Sequence, residues 1–111
     1  MKTVKIIIVA LMAIALGSNS HAQSSTSKTE TIKVAGNCEM CKARIEKAAK
    51  LDGVSKAEWS TKTKTLSVTF NPSKTNIELV GKKVTVAGHD TEKVKATDAV
   101  YDKLPGCCKY R

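Results

Sequence analysis

The sequence predicts an α+β fold: a ferredoxin-like βαββαβ sandwich, with one antiparallel sheet, both helices on one face, and a short C-terminal extension. Three observations carry this expectation. Short runs of alternating apolar and polar residues read as strands. Two longer runs, near 40–51 and 76–87, repeat apolar residues at helical spacing. Their order is strand, helix, strand, strand, helix, strand, which can close into such a sandwich.

Each element has its own justification. In 31–35, Ile32 and Val34 alternate with Thr31 and Lys33, a short strand. Over 40–51, Cys41, Ile45, Ala48 and Ala49 share one face, while Lys42, Glu46, Lys47 and Lys50 lie largely outside it. Glu46 and Lys50 have the i,i+4 order that supports a helix, and Asp52-Gly53 stops it. Val54, Ala57 and Trp59 are the inward candidates of a second strand, and 61–64 is a polar turn. Leu66, Val68 and Phe70 alternate with Ser67 and Thr69 in a third, which Asn71-Pro72 ends. Thr75 with Glu78 fits a capping box. It opens a second helix with Ile77, Val80, Val84 and Ala87 on one face. Gly81 weakens that helix by ~1 kcal/mol relative to Ala but allows close packing, and Gly88 stops it. After a corner at His89-Asp90, Val94 and Ala96 supply a short last strand in 92–96. Residues 97–104 read as one more helix, capped by Thr97 and held by Val100, Tyr101 and Leu104; Pro105-Gly106 ends it. Trp59 and Phe70 are core.

The domain plan follows from the two ends. Residues 1–22 read as a secretory signal: Lys2 and Lys5 make the positive start, 6–16 is an unbroken apolar run, and "GSNSHA" is a small, polar exit ending at Ala22. The run is shorter than the ~20 residues a membrane span needs. An uncleaved anchor is the alternative. Residues 23–29 are a polar leader, 30–96 the folded domain, and 97–111 a C-terminal extension with a Cys-Cys pair. The mature chain is expected to work in the periplasm or as a secreted protein, without stable membrane insertion. Of 19 basic residues, removing Lys2 and Lys5 leaves 17, against 10 acidic ones, a net charge of +7. Scattered lysines and only 4% aromatic residues give nucleic acid little to stack on, so nucleic-acid binding is not expected.

Four cysteines in an exported chain ordinarily suggest a disulfide framework. Here they form two tight pairs, Cys38/Cys41 and Cys107/Cys108. Loops so short remove little chain entropy when closed, so the spacing favours site chemistry over stapling. A Cys-x-x-Cys at a helix start brings two sulfurs within reach of one ion, and the positive helix end lowers the thiol pKa. Thiolates select Cu(I), Zn(II) and similarly thiophilic ions. Two thiolates suit an exposed Cu(I) site; structural zinc wants four closed ligands, and the second pair can supply the other two. Lys42 rules out the Cys-x-x-Cys-His haem pattern. A thioredoxin-like protein would be longer, with a different strand order. His89 is a further candidate ligand, or else a helix cap or solvent-facing loop residue. Met40 is a loop filler or a soft thioether near the ion.

"VAGNCEMCKARIEKAAKLDGV", residues 34–54, resembles the signature of heavy-metal-associated domains, and the resemblance runs over roughly 31–96. Copper chaperones, modules of metal-pumping ATPases and periplasmic mercury-binding proteins belong to that family. The resemblance implies the ferredoxin-like fold, with Cys38 and Cys41 as metal ligands. The chain departs from the pattern in three places. Gly36 stands where family members usually carry a Met that packs beneath the loop. His89 stands where bacterial copper chaperones often have Tyr; some cyanobacterial members have His there, which can approach the metal. The tail from Thr97 lies beyond the usual domain.

Together these readings describe an exported soft-metal carrier or buffer. Cys38 and Cys41 are the principal ligands, and His89, Cys107 and Cys108 are candidate additional ones. Cu(I) is the first cargo expected, with Hg(II) or Zn(II) behind it. The partner expected is a metal-transporting ATPase or another metal carrier, reached through the basic surface. No catalytic base, nucleophile pair or phosphate loop is visible, so no enzyme is expected. The rival from another class is a thiol–disulfide oxidoreductase or a disulfide-stapled interaction module.

Overall fold

A computed structural model describes residues 27–111. The expected signal and most of the leader lie outside these residues. The elements run β1 (Lys28–Lys33), α1 (Glu39–Ala49), β2 (Val54–Trp59), β3 (Thr65–Phe70), α2 (Ile77–Val86), α3 (Asp98–Asp102) and a 3-10 turn (Gly106–Cys108). The strands form one antiparallel sheet in the order β1-β3-β2. The alternation of β3 buries Leu66, Val68 and Phe70 on the face that receives the helices' apolar residues, among them Ile45, Ala49, Val80 and Val84. The small α+β ferredoxin-like sandwich expected from the element order is the fold found. No helix among the described residues is long and apolar enough to cross a membrane.

Four local expectations need correction. The fourth strand does not form: 92–96 contributes no strand, and only an isolated bridge joins Thr91 to Val34. Thr91 is the reason. Its hydroxyl accepts from the N–H of Val94 at 3.0 Å, and its own N–H donates to the Val94 carbonyl at 2.8 Å. That local turn consumes the groups a ladder would need. Second, β1 starts at Lys28, so Lys28 and Thr29 belong to the sheet rather than the leader. Pairing with β3 extends the strand, with a Thr29–Thr69 hydroxyl hydrogen bond of 2.9 Å across it. Third, the cap of α2 is Asn76, whose side chain accepts from Leu79 N–H at 2.9 Å. The Thr75–Glu78 box is therefore out of register, and Thr75 is buried. Fourth, Glu46 pairs with Lys42 at 2.6 Å, and Lys50 reaches the Ser55 carbonyl instead.

The Lys42–Glu46 pair fastens α1 to β2. Glu46 accepts from Trp59 N–H at 2.8 Å, and Lys42 donates to the Trp59 carbonyl at 2.9 Å. Both backbone groups of one residue are thus held by one turn of helix. Trp59 is turned inward, and its indole N–H donates to the Val34 carbonyl at 3.1 Å. The ring lies so close to Gly36 that an added Cβ would stand 3.0 Å from it and 3.2 Å from the Cys41 Cβ. Trp59 therefore fills the space beneath the loop, beside a residue with no side chain.

The tail folds back over the domain. Thr97 caps α3 as its position predicts, and Tyr101, Leu104 and Cys108 enter the core. Leu104 packs against Gly88, where an added Cβ would lie 2.8 Å from its Cδ2 and where φ is +110°. Tyr110 donates its hydroxyl to the Gly88 carbonyl and accepts from Asp90 N–H, each at 2.7 Å. Arg111 binds Asp90 and Asp98, each at 2.9 Å, and stacks its guanidinium on Tyr101. Burial alone would push the Asp90 carboxyl up. Hydrogen bonds from Arg111 and from Ala96 N–H outweigh that and hold it below its ordinary value.

Gly36→Ala is expected to destabilise the reduced, metal-free protein by about 1–3 kcal/mol, since Trp59 and Cys41 must both give way; urea unfolding followed by Trp59 fluorescence measures it. Asp90 sets an acid limb. Its folded pKa is depressed, so its contribution is complete above the unfolded carboxylate value of ~3.9 and is lost as pH falls through the folded value. Thermal unfolding in a pH series should show Asp90→Asn less stable than wild type at pH 7, with the difference shrinking towards pH 2.

Candidate metal centre

The loop between β1 and α1 is fixed before it reaches the first cysteine. Val34 N–H donates to the Lys64 carbonyl at 2.9 Å, and Ala35 N–H to the Asp90 carbonyl at 2.8 Å. His89 Nδ1 lies 2.8 Å from the Ala35 carbonyl. A carbonyl can only accept, so Nδ1 carries the proton. Burial lowers the His89 pKa, which leaves the ring neutral and Nε2 a bare lone pair, itself buried without a partner. His89 is fully enclosed and stacks on Tyr110 at 5.6 Å. It is thus not solvent-facing, and its backbone N–H does cap α2, donating to the Val84 carbonyl at 3.3 Å beyond the left-handed Gly88.

Cys38 occupies the N-cap of α1 in extended conformation, and Cys41 lies one turn on. Their sulfurs are 3.6 Å apart. Cys38 is partly exposed and Cys41 fully buried. The Cys38 thiol is pulled down to about 7, chiefly by the Cys41 N–H; the Cys41 thiol, a Cys107 contact and the Met40 N–H add to this against a smaller cost of burial. A thiol there is substantially ionised at neutral pH, as expected where backbone N–H groups converge at a helix start.

The tail brings a third sulfur. Cys38, Cys41 and Cys108 form a group whose ligand atoms all lie within 4.8 Å of one another. Cys108 is fully buried, and burial pushes its thiol well above the ordinary range. His89 and Cys107 are not members of the group. Cys107 is exposed, with its sulfur 4.0 Å from Cys108 and 3.6 Å from the Met40 sulfur. Met40 is 51% exposed and lies in the first turn of α1 rather than filling the loop. All four cysteines are free thiols. The donor set is soft and free of carboxylate, so it fits a thiophilic cation rather than a hard one.

Some residues that shape this centre were not apparent from the sequence. Asn37 donates to the Lys109 carbonyl at 2.9 Å, and the Cys38 thiol to the Cys107 carbonyl at 3.5 Å. These contacts span about seventy positions and leave no periodic trace. The apolar character of Trp59 did signal burial, though not its bond to Val34.

Comparison with known proteins agrees with this geometry. Residues 31–101 match the heavy-metal-associated domain. The mercuric transport protein periplasmic component of Shewanella putrefaciens is 44% identical over 64 residues, covering 56% of this chain and 70% of that protein. The CopZ metallochaperone superposes with a TM-score of 0.56 at 27% identity, covering 58% of this chain and 98% of that one. The N-terminal domain of a potential copper-translocating P-type ATPase from Bacillus subtilis, solved in its Cu(I)-loaded state, gives 0.56 at 25% identity, covering 67% and 95%. With its Cys-x-x-Cys at the mouth of the first helix and this match over most of its described length, the chain belongs to the heavy-metal-associated domain family.

Proposed function

We propose that the protein is an exported carrier or buffer of a soft metal ion, with Cu(I) as first cargo, bound through Cys38 and Cys41. The observation that carries this reading is the pair of free sulfurs 3.6 Å apart, one partly exposed and held near pKa 7. Cys38 is partly ionised and reachable near neutral pH, and Cys41 backs it from the core. An incoming thiolate from a partner can therefore bind the ion on the Cys38 side before Cys41 releases it, so transfer needs no free ion. The receiving protein would be a metal-transporting ATPase module or another carrier. The positive charge of the chain would steer it towards an acidic face, raising the encounter rate. Catalysis is not part of this reading, and the related proteins named above are carriers or transport modules.

Hg(II) is the second reading, favoured by the similarity to the mercuric transport protein. Both ions are soft and thiophilic, and the cysteine pair suits each. Export to the periplasm rests on the signal-like residues 1–22 and on that same relative.

The double variant Cys38→Ser/Cys41→Ser should lose affinity for Cu(I) by more than about a hundredfold, beyond the 10–100-fold typical of losing a supporting residue alone. Competition titration of the reduced protein with a Cu(I) chelator measures it; unchanged affinity would refute the Cys-x-x-Cys carrier. Adding Hg(II) to the Cu(I)-loaded protein, followed by native mass spectrometry, ranks the two cargoes. Amino-terminal sequencing of the exported form should begin at Gln23.

A further inference from the structure

We infer that the C-terminal tail turns the two-cysteine loop into a three-sulfur centre, with Cys108 as third ligand to the bound ion. This rests on the carrier reading above and says how the ion is held.

The first argument is distance. A metal–thiolate bond is ~2.3 Å, so three sulfurs around one ion in a plane stand ~4.0 Å apart, whereas two in a line stand ~4.6 Å apart. Cys38 and Cys41 are 3.6 Å apart, nearer the planar value than the linear one. Cys108 completes a triangle with no separation above 4.8 Å.

The second argument is how Cys108 is presented. The residues on either side of it are tied to the cysteine loop: the Cys107 carbonyl accepts a hydrogen bond from the Cys38 thiol and the Lys109 carbonyl accepts one from the Asn37 amide. Behind it, Cys108 N–H closes the 3-10 turn on the Pro105 carbonyl at 2.8 Å, and Tyr101 and Leu104 root the segment in the core. The sulfur is therefore aimed by fastenings on both flanks. Burial alone would be served equally by an alanine or a valine. A thiol whose sulfur stands with two other sulfurs, one of them at the mouth of a helix, is placed for coordination.

The third argument is the contrast with its neighbour. Cys107 is adjacent in sequence yet points to the surface, 3.6 Å from the Met40 sulfur and outside the triangle. The two tail cysteines therefore differ in role, and only Cys108 belongs to the first coordination sphere. Each thiol that binds releases its proton to solvent and coordinates as thiolate, and no electron transfer is involved.

The test is X-ray absorption spectroscopy of the Cu(I)-loaded full mature chain, with native mass spectrometry counting ions. Wild type should hold one ion with a first shell of three sulfurs. Cys108→Ser should keep one ion with a shell of two sulfurs, and its Cu(I) affinity should fall by tenfold or more. Cys107→Ser should keep three. A two-sulfur shell in wild type overturns the inference while leaving the carrier reading intact, and so does a Cys107→Ser shell that loses a sulfur. Failure of wild type to hold any ion overturns both. Cys108 is in the core, so circular dichroism first checks that Cys108→Ser folds. The wild-type shell decides the matter without that variant.

Discussion

The immobilised backbone of Val34 to Gly36 is the constraint on which the rest depends. Four hydrogen bonds hold Val34 and Ala35, from Lys64, Trp59, Asp90 and His89, and the Trp59 ring leaves no room at Gly36 for more than a hydrogen atom. These partners come from β2, from the turn before β3 and from the corner after α2. Three separate parts of the chain therefore converge on two residues. The cysteine loop starts from a fixed point, and so does α1. A loop free to wander would lose the alignment between its sulfurs and the helix N–H groups that draw the Cys38 thiol down. His89 belongs to this clamp, which gives a physical reason for a buried, neutral imidazole beside the cysteine loop.

The four cysteines are graded in exposure. Cys41 and Cys108 are fully enclosed, Cys38 is partly open, and Cys107 lies at the surface. In the proposed carrier, enclosed sulfurs would hold an ion in surroundings of low polarity, where electrostatic attraction is strong. A partly open one is needed if the ion is ever to leave through another protein's ligands. The same loop would serve both needs, because one sulfur is on the helix cap and the other a full turn deeper.

Much of this was legible in the sequence. Period-2 alternation located β3 and the second half of β1, the helical face of α1 was read from Cys41, Ile45 and Ala49, and the two close thiols at its mouth were read from Cys-x-x-Cys. The failures share one cause. Short-range patterns do not report how polar groups are finally partnered. Thr91 took the N–H groups that a fourth strand would have used, Asn76 displaced Thr75 as the cap, and Glu46 pairs with Lys42 where both bind the backbone of Trp59. Tail contacts such as Asn37 with Lys109 span so much chain that only the folded form displays them.

The absent fourth strand leaves β1 at the rim of the sheet. Near Lys33 the rim is sealed by Glu92, whose carboxylate accepts the Lys33 N–H while its own N–H meets the Lys33 carbonyl. Towards Lys28 no further ladder is formed on that side among the described residues. An open rim is an invitation to edge-to-edge aggregation. The strand answers with its composition: Lys28, Glu30 and Lys33 put a charge at nearly every other position, and a foreign strand docking there would have to desolvate them. Colloidal safety, which a closed sheet would have obtained from geometry, is here obtained from charge.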